Sequence, residues 1–418
     1  MRQKSSHGVL LSVVASASAL ALLIPLAGAQ AGPIASGVRM DIEWRHRVEA
    51  RGNNDFDAAQ DDGQTGYLTR FRLGMGARLS PGLTAYAQLQ DVRRSGDLSQ
   101  RVTNLTTLHQ GYLDFPGGKE GTSLRVGRQE IAFGEKRLVS DSGWSNSART
   151  FDAVRLTHRA GPYTLDLFSA NVVTKGYQPR NNPPQGSFHG LYMTSGSGKK
   201  TVKDAYALLR WRDGNLWTYG GRVRTPAAPG RVDWMAELAW QTGRQQGRKH
   251  QAHAGVLSAG YTLTAPWTPR IGVEYAYSPG DSNPDDPVVK TFDPLYPTTH
   301  PYYGIMDYFA WRNLRNLRAS LSVNPLPRLR VAVDYHDMRL ASAEDGWYGS
   351  NALRMQDKSG RSGRHVGREI DLQVDYRLGP RTALSAGYGH FFAGSYITRQ
   401  KAAATDSDWG YLQATYSY

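Results

Sequence analysis

Residues 67–78 read YLTRFRLGMGAR. Leu68 excepted, one register is apolar or small (Tyr67, Phe71, Leu73, Met75, Ala77) and the other carries Arg70, Arg72 and Arg78. Period-two alternation marks a β-strand whose faces meet different surroundings. Hydrocarbon on one side and guanidinium on the other suits a strand with acyl chains outside and an aqueous lumen inside.

The pattern recurs. Residues 38–50 alternate Val38, Met40, Ile42, Trp44 and Val48 against Arg39, Asp41, Glu43, Arg45 and Arg47. After the tight turn Ser80-Pro81-Gly82, residues 83–90 place Leu83, Ala85, Ala87 and Leu89 opposite Tyr86, Gln88 and Gln90. Further strands are predicted at 106–115, 123–133, 150–159, 163–173, 187–194, 204–212, 216–225, 231–241, 252–263, 270–278, 308–323, 328–338, 367–378, 382–392 and 407–418, eighteen in all. The fold class is all-β, a transmembrane antiparallel β-barrel. Its short connections (80–82, 160–162, 324–327, 379–381) fall on the periplasmic side and its long ones (51–64, 134–149, 174–186, 280–307, 341–366) outside. Residues 213–215 break the rule, being extracellular yet tight, so the strand count hinges on that turn.

Bulk composition agrees. The 418 residues include 45 Gly, 21 Pro, 11% aromatics and no Cys, which excludes disulfides, thiolate metal sites and a lipidated N-terminal Cys. Outside the N-terminus no apolar run approaches the about 20 residues of a membrane helix. Residues 1–31 read as a signal segment, with Arg2 and Lys4 ahead of an apolar core and cleavage expected after Ala29 or Ala31, leaving a barrel over 32–418. Removing Arg2 and Lys4 takes the net charge from +14 to +12. The arginines are spread strand by strand instead of clustered, which excludes nucleic acid as a partner. Trp211, Trp217, Tyr219, Trp234 and Trp240 near strand ends match interfacial girdles. The expected partners are outer-membrane lipid and lipopolysaccharide, periplasmic export components, and the barrel assembly machinery, reached through a final strand ending in Tyr418.

Parity assigns thirteen arginines to the lumen, Arg39, Arg45, Arg47, Arg70, Arg72, Arg125, Arg155, Arg210, Arg212, Arg222, Arg224, Arg318 and Arg330. Eight acids join them: Asp41, Glu43, Asp114, Glu237, Glu274, Asp334, Asp371 and Asp375. Any one arginine reads more simply as half of a wall ion pair. Collectively they outnumber the acids, and a guanidinium fork matches a carboxylate, so a ladder of them suits a polyanion passed between weak contacts.

Three stretches carry a family resemblance: VGRQE (126–130), the W-x-N-x-x-R-T-F-D run (144–152) and TFDPLYP (291–297). With their flanks they resemble the alginate export family of outer-membrane porins, from about Met40 to the C-terminal YLQATYSY. The resemblance implies an eighteen-stranded, arginine-rich channel for an anionic polysaccharide or acidic sugars, needing no cofactor. It implies that Arg128, Gln129, Trp144, Asn146, Arg149 and Asp152 shape an outer constriction, or else tie an extracellular loop into the pore mouth. The turn 195–200 is shorter than the family's periplasmic plug segment. The substrate-binding candidates are these six with Arg45, Arg47, Arg70, Arg72, Gln88, Gln90, Arg125, Arg155, Arg222, Arg224, Glu237 and Arg318.

Weaker signals stand beside these. Asp281, Asn283, Asp285 and Asp286 are oxygen-rich enough for calcium but match no EF-hand spacing, and His250 and His253 sit three apart in a predicted loop. An uptake porin for small anionic or organic solutes is the second functional reading. An enzymatic barrel is a third, but His109, His158, His300, His336 and His390 lie in no recognisable serine–histidine pattern. A structural or adhesive barrel, which would not conduct, is the fourth.

Overall fold

Alternating side chains that satisfy lipid on one face and water on the other leave the backbone only one way to bury its polar groups, a sheet closed on itself. The computed structural model describes residues 37–96, 104–118, 120–173, 186–350 and 352–418, and the expected signal segment lies outside them. The strands are β1 (Val38–Gly52), β2 (Gln64–Ser80), β3 (Leu83–Gly96), β4 (Leu105–Phe115), β5 (Gly121–Gln129), β6 (Phe151–Ala160) and β7 (Tyr163–Val172). They continue with β8 (Ser187–Ser195), β9 (Val202–Trp211), β10 (Asn215–Arg224), β11 (Val232–Gln245), β12 (Arg248–Thr262), β13 (Arg270–Ser278) and β14 (Val288–Val289). The last are β15 (Leu314–Leu326), β16 (Leu329–Leu340), β17 (Gly346–Tyr348), β18 (Leu353–Gln356), β19 (His365–Arg377), β20 (Thr382–Ala393) and β21 (Ser407–Ser417).

Eighteen of these form the closed antiparallel barrel, each pairing with its neighbour along the chain and β21 closing on β1. The other three lie in the long connections: β14 adds in parallel to β12, and β17 with β18 makes a separate hairpin. The questioned turn at residues 213–215 is real. Trp211 pairs with Asn215 across a three-residue turn, in which Asp213 and Gly214 take positive φ of 52° and 128°. Gln246 and Gly247 (φ 49° and 78°) do the same between β11 and β12.

That second hairpin corrects the sequence reading, which had residues 242–251 as loop. The strands continue above the apolar band on polar residues, so His250 and His253 stand on β12. Residues 308–313 are a second correction. They belong to the loop before β15, and their apolar run YFAW reflects burial on all sides instead of a two-faced strand. Residues 130–133 likewise leave β5 and turn inward.

Met75, Leu257 and Ile271 are 52%, 61% and 59% exposed on the outer face, whereas Arg45, Arg70 and Arg72 on the inner face are buried. An outer face rich in exposed aliphatics is what an acyl environment requires. Trp211, Tyr219, Trp234 and Trp240 also face outward. The apolar core is not between sheets. Phe56, Phe292, Tyr308, Trp311, Trp347 and Phe391 cluster where the long loops fold into the barrel.

Candidate functional site

The inner wall starts from the register of β1 on β2. Arg45 is the Cα partner of Arg70, and Glu43 that of Arg72. Two guanidiniums directly opposite repel, so both need acceptors. Glu43 takes one bond from Arg70 at 2.7 Å, and the rest come from the loop between β5 and β6. Arg45 donates to Gly143 O, Ser145 O and Asn146 Oδ1, Arg70 to Gly143 O and Ser145 O, and Arg47 to Trp144 O. Arg72 is held by Gln90 Oε1 at 2.8 Å, while Gln90 Nε2 reaches Ser147 O. Gln88 bonds Asp41, whose other donor, Tyr86, needs the space left by Gly74: a Cβ there would lie 2.3 Å from the phenol oxygen.

The same loop reaches the far wall. Glu135 pairs with Arg222 at 2.7 Å and lies 3.6 Å from Arg224, both on β10, and Arg137 pairs with Glu274 on β13 at 2.6 Å. Because β10 stands nine staves from β1 in a ring of eighteen, residues 135–147 cross the lumen. Burial would lower the Arg137 guanidinium, but Glu274 and the Tyr303 and Tyr302 rings raise it above its ordinary value, so it stays charged.

A second loop, between β13 and β15, crosses beside it. Asp293 makes a two-pronged pair with Arg210 on β9, at 2.9 and 2.6 Å. At its other end the amides of Ile305 and Met306 donate to Asp371 and Glu369 on β19, and Arg51 on β1 donates to Met306 O. Gly304 makes this possible: its φ is +82°, and a Cβ would lie 2.4 Å from the Glu369 carboxyl. The two loops are joined by a parallel bridge between Val139 and Tyr296 and by Arg149, which donates to Ser140 O, Tyr296 O and Pro297 O. Burial takes the Arg149 guanidinium down to about 10, with Tyr296 and Asp141 pulling weakly the other way. Trp144 stacks on His300 (3.8 Å between centroids, 9° between planes) under the Arg47 guanidinium. Thus the W-x-N-x-x-R run and the TFDPLYP segment pack on each other as one crossbar.

Around and below the crossbar the arginines of the wall are paired. Arg125 bonds Asp114, Arg155 bonds Asp166, Arg222 bonds Asp204, and Arg318 bonds Asp334 at two points. Ser123, Arg125, Arg155, Thr157, Arg159 and Asp114 line a cavity of ≈ 300 Å³ beside residues 116–118. Glu237 is buried on the inner face and accepts from Tyr206.

Two of the constriction candidates are on the wrong side. Arg128 and Asp152 pair at 2.8 Å, but they share the register of Val126 and Val154, exposed on the outer face at 39% and 47%. Gln129 does face inward, where its amide donates to Ala153 O. Alternation forbids consecutive strand residues from sharing the lumen. The acids considered for calcium do not converge: Asp286 pairs with Lys290, Asp281 lies near Arg248, and Asp285 is exposed. Among the described residues no group of three His, Asp or Glu is placed to hold a metal. The histidines considered for catalysis contact Glu130 (His109), Thr122 (His158), Asp307 (His300), Asn316 (His336) and Asp408 (His390). Sequence reasoning missed Arg51, Arg137, Arg159 and Glu369. Parity would have found Arg159 and Glu369, which continue the inner registers of Arg155 and Asp371.

A family model described as alginate export matches residues 37–410. Among solved structures, OprD from Pseudomonas aeruginosa superposes with a TM-score of 0.62 at 13% identity, covering 93% of this chain and 96% of that one. OccK7 (OpdD) from the same organism gives 0.61 at 15% identity, over 92% and 99%. A search of curated protein sequences finds no match.

Proposed function

The chain belongs to the alginate export family, an outer-membrane channel of a Gram-negative bacterium, and from that premise we propose that it passes an anionic polysaccharide or acidic sugars through its lumen. The observation that supports this reading most is the crossbar's attachment. Arg45, Arg47 and Arg70 hold the loop through peptide carbonyls of residues 143–145. A carboxylate is the stronger acceptor for a guanidinium, because it brings a full counter-charge and two oxygens that match the fork. A uronate arriving at this wall competes with the loop for the same donors, so the substrate loosens the obstruction it meets.

From there the wall pairs of Arg125, Arg155, Arg222 and Arg318 offer successive exchanges of one carboxylate for another. Each exchange conserves charge-assisted bonds, and shallow wells are what conduction needs. The gradient sets the direction, and the reading assigns no catalysis.

The crossbar itself favours a second reading, since two loops tied to opposite walls narrow the lumen, as a pore for small anionic or organic solutes requires. Planar-bilayer recordings with oligouronates of increasing length separate the two. Block that deepens with length and weakens in Arg70→Gln/Arg72→Gln supports the polysaccharide. Block by the monomer alone supports small solutes, and anion selectivity unchanged by the double substitution removes the arginine path.

A further inference from the structure

An arginine on the lipid face of a barrel costs roughly 2–4 kcal/mol at midplane and little only near the interface. β15, β16 and β19 nevertheless turn three of them outward at the long-loop end. Arg315, Arg339 and Arg368 share registers with Leu317, Tyr335 and Ile370, all exposed on the outer face. One row across the sheet reads Tyr277, Arg315, Arg339, His365, and the next reads Leu317, Asp337, Arg368.

Arg315 and Arg339 are thus Cα partners, like charges placed directly opposite, which destabilises a ladder unless a counter-charge intervenes. Asp337 is the acid at this position. It sits 2.6 Å from Arg339, 3.5 Å from Arg368 and 3.7 Å from His365. The Nε of Arg315 is buried with no hydrogen-bond partner, and the side chains of Arg339 and Arg368 are each 53% exposed. Two other outward arginines are each matched by an acid, Arg93 by Asp91 and Arg128 by Asp152. Tyr275, Tyr335 and Phe392 stand exposed around the patch, at the level where aromatic rings mark the acyl–headgroup boundary.

We propose that Arg315, Arg339 and Arg368 form a docking site for the phosphate of an outer-leaflet lipopolysaccharide. A guanidinium fork binds phosphate at two points, and two forks sharing the Asp337 carboxylate, with the third of Arg315 directly opposite Arg339, leave donors to spare. The patch opens sideways and runs straight into Leu317, Leu321, Val333 and Leu372. Its ligand must therefore carry phosphate and acyl chains on one molecule, as lipid A does. The site is independent of what the lumen carries.

Native mass spectrometry of the full-length protein in detergent, titrated with diphosphoryl lipid A and with dephosphorylated lipid A, tests the assignment. Wild type should bind the diphosphoryl form at least about tenfold more tightly, the scale of one lost charge-assisted contact. Arg315→Gln/Arg339→Gln should lose that preference, and Arg93→Gln, on a balanced part of the outer face, should keep it. Equal binding of the two lipids by wild type overturns the site, and this comparison decides even if the double variant does not fold. A preference undiminished in a folded double variant also overturns it, as does displacement of the lipid by millimolar inorganic phosphate, which would mark a free-anion site.

Discussion

Arg45 and Arg70 face each other across β1 and β2 and grip the same two carbonyls, Gly143 O at 3.0 and 2.9 Å and Ser145 O at 3.2 and 3.1 Å. Their mutual repulsion makes the loop their shared acceptor, so wall and crossbar stabilise one another. Hydrogen bonds to a charged group contribute roughly 1.5–3 kcal/mol each, though bonds sharing an acceptor do not add.

Arg45→Gln/Arg70→Gln should therefore loosen residues 140–149 on the wall, leaving the ties from Arg47 to Trp144 O and from Gln90 to Ser147 O. Single-channel conductance is expected to rise, anion preference to fall, and the loop to be cut faster in limited proteolysis. Conductance equal to wild type would show that Arg149 and the bridge to Tyr296 hold the crossbar without them.

Acid should loosen the other loop. Burial alone would raise the Asp293 carboxyl, but Arg210, bonded at two points, and Arg312 hold it at about 2, below its ordinary 3.8. A depressed carboxyl contributes its stability fully above the unfolded value, and that contribution is lost as pH falls through the folded one. The tie is thus intact above about pH 4 and fails toward pH 2, a loss on the order of 2 kcal/mol. Asp293→Asn should show the same loosened gating at neutral pH and lose this pH dependence. Bilayer recordings from pH 7 down to pH 2.5 measure both, and a variant that keeps the acid transition would place its origin elsewhere.

Gly304 is required twice, by its φ of +82° and by the carboxyl of Glu369 against its α-carbon. Gly304→Ala should lift the amides of Ile305 and Met306 off Glu369 and Asp371 and cost about 1–3 kcal/mol. The heat-modifiability midpoint should drop while the strand content seen by circular dichroism stays the same. An unchanged midpoint would mean the loop shifts without cost.

The barrel was readable because alternation records two solvents, and β2 alone announces both. The loops were not, since a segment buried on every side records none. Tyr308, Phe309, Ala310 and Trp311 looked like strand for that reason. The arginines of β1 and β2 were found by parity, but most of their acceptors in the loop are backbone carbonyls, which leave no trace in the sequence. Arg137, the buried tie to Glu274, stood in a loop where parity has no meaning.

Arg128 and Arg125 test how far parity governs function. They lie three residues apart on β5, each paired with an acid on a neighbouring strand, Asp152 and Asp114, at 2.8 and 3.0 Å. By family motif Arg128 belongs to the constriction, and by geometry it faces out of the barrel while Arg125 faces the lumen beside Arg155. Arg128→Gln should leave conductance and reversal potential at wild-type values, with a stability change of no more than about 1 kcal/mol, as for an exposed pair. Arg125→Gln removes a charge from the ≈ 300 Å³ cavity and unpairs Asp114 there, so the reversal potential in a salt gradient should move toward cation preference. If Arg128→Gln moves it instead, the motif's role in the constriction stands and the outward placement of Arg128 fails.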